Sequence, residues 1–172
     1  MFESNDTFVE QAVKSNETGK QKGLKVFFAI MVLVSAFFMF SFSFIIGFIL
    51  VVVFGILFIL QSNKSKTEYE YDYTNGTLDI ARITNNSKRK RILSIEAAEV
   101  RLVAPMGTNE ALKYDHLNLK SYNCSANDPE VRNFILVAHD TKKNEDFQVI
   151  WNPNEKLLNA MKRYNKRDII DM

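Results

Sequence analysis

Residues 67–84 read TEYEYDYTNGTLDIARIT. Through Thr74 the pattern has period two, with Tyr69, Tyr71 and Tyr73 on one side and Glu68, Glu70 and Asp72 on the other. That alternation marks a strand with one face buried and one in water. Asn75-Gly76 follows, and a two-residue type I′ turn needs φ > 0 at both central positions, which Asn and Gly supply. TLDIARI is then the return strand. The turn sets the register: Thr74 opposite Thr77, Tyr73 opposite Leu78, Tyr71 opposite Ile80 and Tyr69 opposite Arg82. Aromatic–aliphatic pairs stabilise one face, and Tyr69 over Arg82 is an expected cation–π contact. On the other face Asp72 meets Asp79.

Upstream the character changes. Val26–Leu60, VFFAIMVLVSAFFMFSFSFIIGFILVVVFGILFIL, holds no charge and is interrupted only by Ser35, Ser41, Ser43, Gly47 and Gly55. A run so long and so apolar predicts membrane insertion. It exceeds the h-region of a signal peptide, and no small-residue cleavage site follows it. One straight helix over the run would be roughly 52 Å long, against about 30 Å of hydrocarbon. Two helices, about Val26–Phe40 and Phe44–Leu60, fit better. Serines at the Ser41–Ser43 turn can satisfy backbone groups freed there.

Lys14, Lys20, Lys22 and Lys25 precede the run, and Lys64 and Lys66 follow it. Lysine-rich flanks prefer the cytoplasm, and an even number of crossings places both there. The expected topology is a multi-pass cell-membrane protein with a transmembrane hairpin over 24–62 and both termini cytoplasmic. The single Cys124 permits no intrachain disulfide, in keeping with that compartment. In the N-terminal segment 1–23, TFVEQAVK has Thr7 and Glu10 in capping-box spacing, with Phe8, Val9, Ala12 and Val13 on one helical side. It reads as a short amphipathic helix on the membrane surface or, equally, as a frayed tail. SNETGKQKG reads as a linker.

Downstream, RILSI, EVRLV, HLNLKSY, NFILVAH and FQVIW predict further short strands. Pro105–Lys113 reads as a loop, and SANDPE and DTKKNED as turns. NPNEKLLNAMKRYNKR predicts a helix capped by Asn152, with Pro153 at its first position and Glu155 closing the capping box. Leu157, Leu158, Met161 and Tyr164 form its packing stripe, and Lys162, Arg163, Lys166 and Arg167 suit the dipole at its end. The fold class is therefore an N-terminal transmembrane helical hairpin plus an α+β soluble domain over 67–172. That domain has about seven antiparallel strands and one C-terminal helix, in pleckstrin-homology-like order.

YEYDYTNGTLDIARITNNSKRKRIL, NPNEKLLNAMKRY and the leading FVEQAVK carry a resemblance. The chain resembles an uncharacterised family of small Gram-positive bacterial membrane proteins with two N-terminal transmembrane segments and a soluble domain of unknown function. More loosely, it resembles bacterial pleckstrin-homology-like domains placed after transmembrane hairpins. The resemblance covers most of the chain and is weakest over Pro105–Pro129. It implies architecture and bacterial origin, and no activity.

The chemistry-bearing residues are sparse. There is no Gly-rich phosphate loop, G-x-S-x-G or H-E-x-x-H. His116 and His139 lie on separate predicted strands without ligand spacing, and one cysteine cannot build a cysteine-rich metal site. His139-Asp140 reads as a surface pair. The most enzyme-like feature is Asp72 opposite Asp79, with Glu68 and Glu70 alongside. Opposed Cβ atoms lie about 4.5–5.5 Å apart, and carboxylates that close share a proton or bind a divalent cation. A solvated outer face is the stronger reading, since no base, nucleophile or third ligand accompanies the pair. The apolar run lacks the ionisable residues of pumps and relays. Ser43 and Gly47 have the small-xxx-small spacing of a helix contact. No catalytic residue, metal or cofactor is expected.

The basic run NNSKRKRIL, 85–93, completes the reading. The first strand leaves the bilayer and runs roughly 25 Å to its turn, and the second returns. The following loop, Asn85–Lys90, is expected at the inner leaflet. Lys64, Lys66, Lys88, Arg89, Lys90 and Arg91 are then candidate contacts to anionic headgroups, each contributing about 1 kcal/mol and screened within a Debye length. A net charge of +2 and the lack of interleaved aromatics argue against nucleic acid. The tight Asn-Gly turn leaves no long loop to enclose a phosphoinositide headgroup. The expectation is a membrane-anchored, non-enzymatic binding or scaffold module. Its partners would be a lipid bilayer with anionic headgroups and an unknown protein. The alternative is a hairpin-mediated subunit of a membrane complex or homo-oligomer.

Overall fold

The computed structural model describes residues 7–170, and of Lys64 and Ser65 the backbone alone. These residues form two compact units.

The smaller unit, 16–67 with 84–87, is the apolar hairpin. Its helices are α1 (Gly19–Ser41) and α2 (Phe44–Ser65), with the reversal where the serines predict it. Both are longer than the apolar run requires, at 23 and 22 residues, because the polar flanks continue the helix. Each exceeds the ~20 residues that cross a bilayer. A capping box starts α1: Thr18 N–H donates to Gln21 Oε1 at 2.9 Å, and Gln21 N–H donates to Thr18 Oγ1 at 3.3 Å. A methyl group built on Gly47 would overlap the Met39 backbone, so the helices approach most closely where that residue has no side chain. Ser35 is buried, its Oγ donating to the Met31 carbonyl at 2.6 Å.

The larger unit comprises 7–15, 68–83 and 88–170. One sheet contains β1 (Phe8–Ser15), β2 (Thr67–Thr74), β3 (Thr77–Thr84) and β4 (Lys88–Glu96), in that order. The second contains β5 (Val100–Pro105), β6 (Lys120–Asn123), β7 (Phe134–Asp140) and β8 (Glu145–Trp151), ordered β5-β7-β8-β6. Two helices complete it, α3 (Asn109–Asp115) and α4 (Glu155–Lys162). Tyr71, Tyr73, Leu78, Ile80, Leu136, Val149, Trp151 and Leu157 are fully buried in one core. Tyr71 and Trp151 meet edge to face at 5.3 Å. Asn75 and Gly76 take φ of 48° and 93°, as the two-residue turn requires, and the Tyr164 ring lies against Gly76.

Several expectations are corrected. The helix or tail expected at Thr7–Lys14 is the edge strand β1. Its alternate residues Val9, Gln11, Val13 and Ser15 are half-buried, and Val9 and Val13 pack on the core. Val9 and Val13 suit a helical or an extended repeat alike, and the open edge of β2 decides between them. Asn75 N–H donates to the Thr7 carbonyl at 3.1 Å, and Lys14 lies 3.9 Å from Glu68. The start of β1 therefore lies beside the end of β2, and the strands run antiparallel. The apolar hairpin is the connection between these two neighbours.

Part of the expected Pro105–Lys113 loop is α3. Thr108 caps it, accepting from Ala111 N–H at 3.4 Å, and Ala111 joins Leu102, Ala104, Ile135 and Val137 in a second small core. The strand expected from His116 begins only at Lys120, and His116 is the C-cap of α3. β6 pairs parallel with β8, with Lys120 opposite Phe147, so the second sheet is mixed. Its antiparallel core is β5-β7-β8. Asn154, not Asn152, caps α4, its Oδ1 accepting from Leu157 N–H at 2.8 Å. Lys166 and Arg167 lie beyond that helix. Arg82 lies close enough to Tyr69 for its charge to oppose the rise that burial imposes on the phenol. Among the described residues, however, the cation–π pairs are Lys120 over Tyr122 and Arg132 over Phe134.

Candidate functional site: the charged face of the first sheet

Period two puts Glu68, Glu70 and Asp72 of β2 and Asp79 of β3 on the wet face of the first sheet. The basic run supplies their counter-charges. The sequence predicts a loop over Asn85–Lys90, but the turn ends at Ser87 and Lys88–Arg91 are the first residues of β4. Asn85 and Asn86 take φ of 54° and 53°, a left-handed region that Asn tolerates. Asn85 N–H donates to the Lys66 carbonyl at 2.8 Å, which ties the turn to the end of α2.

Arg89 reaches across β3 to β2. Its Nε pairs with Glu70 Oε2 and its Nη2 with Asp72 Oδ2, the latter at 2.6 Å. Ala81, two residues from Asp79 on the intervening strand, is buried, and its small side chain leaves the path open. Arg91 Nη1 lies 3.8 Å from Asp79 Oδ2. The N-terminal strand adds Glu10, whose carboxylate lies within 4.8 Å of those of Glu70 and Asp72. Three carboxylates at that spacing suit a hard cation, but the Arg89 guanidinium already supplies the positive charge between two of them.

Crowding shifts these groups. A hydrogen bond with Glu70 and then the charge of Asp72 raise the Glu10 pKa. Burial and then Glu70 raise that of Asp72; Asp79 adds to the rise and Arg89 opposes it. Carboxyl groups this close share protons.

The candidate headgroup contacts divide into two sets. Arg89 and Arg91 are engaged by carboxylates, whereas Lys88, Lys90 and Lys66 are exposed and free of ion pairs among the described residues. Lys64 lies in the last turn of α2, and its side chain is outside the described residues. Glu10 was missed because its partners lie beyond the apolar hairpin. A legible signal for Arg89 and Arg91 did exist: the charges alternate straight into the apolar Ile92, as in a strand. Elsewhere His139 Nδ1 lies 2.7 Å from Asp146 Oδ1, its cross-strand neighbour, while Asp140 pairs with Lys143 at 2.9 Å. Burial pushes the Cys124 thiol up to about 12, leaving it inert at neutral pH.

Two sheets closed by a C-terminal helix, joined to two candidate membrane helices, define a PH-like module of membrane-associated type. The chain belongs to the family described as Bacterial PH-like domain (DUF6106), whose model matches residues 5–171. That match takes in β1 and the apolar hairpin as well as the later strands. No curated protein matches the sequence.

Proposed function

We propose that the chain is a non-enzymatic, membrane-anchored binding module whose PH-like domain meets the inner leaflet of a cell membrane. The observation that carries this reading is the hairpin's place between the neighbouring antiparallel strands β1 and β2. With both crossings made, the chain enters and leaves the bilayer on one side. The lysines that flank it on both sides, Lys14, Lys20, Lys22 and Lys25 before and Lys64 and Lys66 after, favour the cytoplasm. In this reading Lys66, Lys88 and Lys90, with Lys64, contact anionic headgroups. Arg89 and Arg91 hold the sheet's own acidic face and join that layer only at its edge.

Cysteine labelling tests the topology. Cys124 is buried and silent, so single cysteines at Ser41 and Thr141 report cleanly. A membrane-impermeant maleimide should label Ser41→Cys in intact cells and Thr141→Cys only after lysis. The reverse pattern rejects the reading. For the headgroup contact, hydrogen exchange over 85–90 should slow in anionic nanodiscs relative to neutral ones. Equal rates in both reject it.

A further inference from the structure

We propose that the second half of β4 is a docking edge for an extended segment of a partner protein, taken up as an added strand. This rests on the reading of the domain as a binding module and names the class of partner.

β4 ends the first sheet and β6 ends the second, so each has one edge without a neighbouring strand. Such edges present unpaired N–H and C=O groups, and proteins blunt them with charged side chains. β4 is blunted over its first half only, where Lys88, Arg89, Lys90 and Arg91 are all exposed. The strand then turns apolar, Ile92-Leu93-Ser94-Ile95. There it borders a groove of about 310 Å³ that it shares with β6, β8 and the 140–143 turn. The change from guarded to unguarded edge coincides with the groove.

The groove suits a strand. Ile92 and Leu93 line it from β4, and Tyr122 and Phe147 face them in edge-to-face contact at 5.9 Å. Ile92–Glu96 offers roughly 17 Å of edge at ~3.3 Å per residue. The edge ends at Glu96, whose N–H is already bonded to Glu99 Oε2 at 3.0 Å. Its volume lies at the low end for ligand pockets, enough for two or so side chains of an extended segment. Lys120, Lys142 and Lys143 on the rim stand against Glu96, Glu99, Asp140 and Glu145, close to balance. Recognition therefore rests on backbone pairing and alternate apolar side chains, not on net charge, and the occupant is an extended peptide with apolar residues at every second position. A second copy fits poorly, because pairing two β4 edges would bring two Lys88–Arg91 runs together.

The test uses the full chain in neutral-lipid nanodiscs as bait for displayed random peptides of about a dozen residues. Enriched sequences should alternate apolar residues, and their synthetic forms should bind equally well at low and high salt. N-methylation of alternate backbone positions in one phase should abolish binding, and in the other phase leave it intact. Ile92→Asp, with its fold checked by thermal unfolding, should weaken binding at least tenfold. Four outcomes overturn the proposal: no enrichment, indifference to N-methylation in both phases, salt-sensitive binding lost in Lys88→Ala/Lys90→Ala, or occupation of the groove by a second copy. The two readings fail separately. Inverted cysteine labelling with intact peptide capture removes the membrane orientation alone, and correct labelling without capture removes the docking edge alone.

Discussion

The two faces of the first sheet are made from the same strands and held by different physics. On the inner face Tyr69, Tyr71, Tyr73, Leu78 and Ile80 pack with Trp151 and α4, and their energy is the removal of apolar area from water. On the outer face Glu10, Glu70 and Asp72 crowd one another and are held by Arg89. The inner face is insensitive to salt and costly to disturb. The outer face is cheap to disturb and senses pH and ionic strength. One strand can carry both because its side chains alternate, so a single sequence serves a core and a charged surface.

The largest expected effect breaks the inner face. Trp151 is fully buried against Tyr71, and Trp151→Ala should destabilise the domain by about 3–5 kcal/mol in denaturant unfolding of the full chain. Tyr71→Phe isolates a polar contribution within that face. The Tyr71 hydroxyl donates to the Cys124 carbonyl at 2.5 Å and accepts from Asn152 N–H at 3.4 Å. Its loss leaves both groups buried and unpaired, and unfolding should show a deficit of about 1–3 kcal/mol.

On the outer face the effects shrink and become conditional. Arg89→Ala removes the counter-charge from Glu70 and Asp72 but strips no core contact. Its unfolding midpoint should fall by less than that of Tyr71→Phe, and high salt should erase the difference. A large deficit that persists in salt would mean that the two faces are not separable.

The smallest effect is a pH dependence. Glu10 and Asp72 have folded pKa values raised above their ordinary 4.5 and 3.8. Between those values and the raised ones the folded chain holds more protons than the unfolded chain, so these two groups make stability fall as pH rises. Glu10→Gln removes the Glu10 share. The variant should be slightly more stable than the parent near neutral pH and equal to it well below 4.5, in unfolding midpoints measured across that range. A parent that is the more stable near neutrality would contradict the crowding of the acidic trio.

Much of this was legible in the chain. The Tyr-face alternation and Asn75-Gly76 are local, and both faces of β2 and the turn follow from them. The reversal between α1 and α2 follows from the serines in an otherwise uncharged run. What escaped depends on distant partners. β1 finds its neighbour only across the whole apolar hairpin. α3 is held by Ala111 packing under β5 and β7, contacts that nothing in TNEALKYD announces. Asn152 matches a cap in sequence, yet it is buried, with Oδ1 accepting from Ala126 N–H at 2.6 Å and Nδ2 donating to the Arg132 carbonyl at 2.8 Å. Asn154 is left to cap α4.

By itself, then, the sequence determined two long apolar helices, a hairpin with one aromatic and one acidic face, and a run of four basic residues. Those follow from composition and from periodicities that each element carries alone. Only the tertiary structure decided that the N-terminal segment is a strand, and that Arg89 spans a neighbouring strand to neutralise two carboxylates. A charge takes its role from what lies within a few ångströms, and strand order across the sheet sets those neighbours.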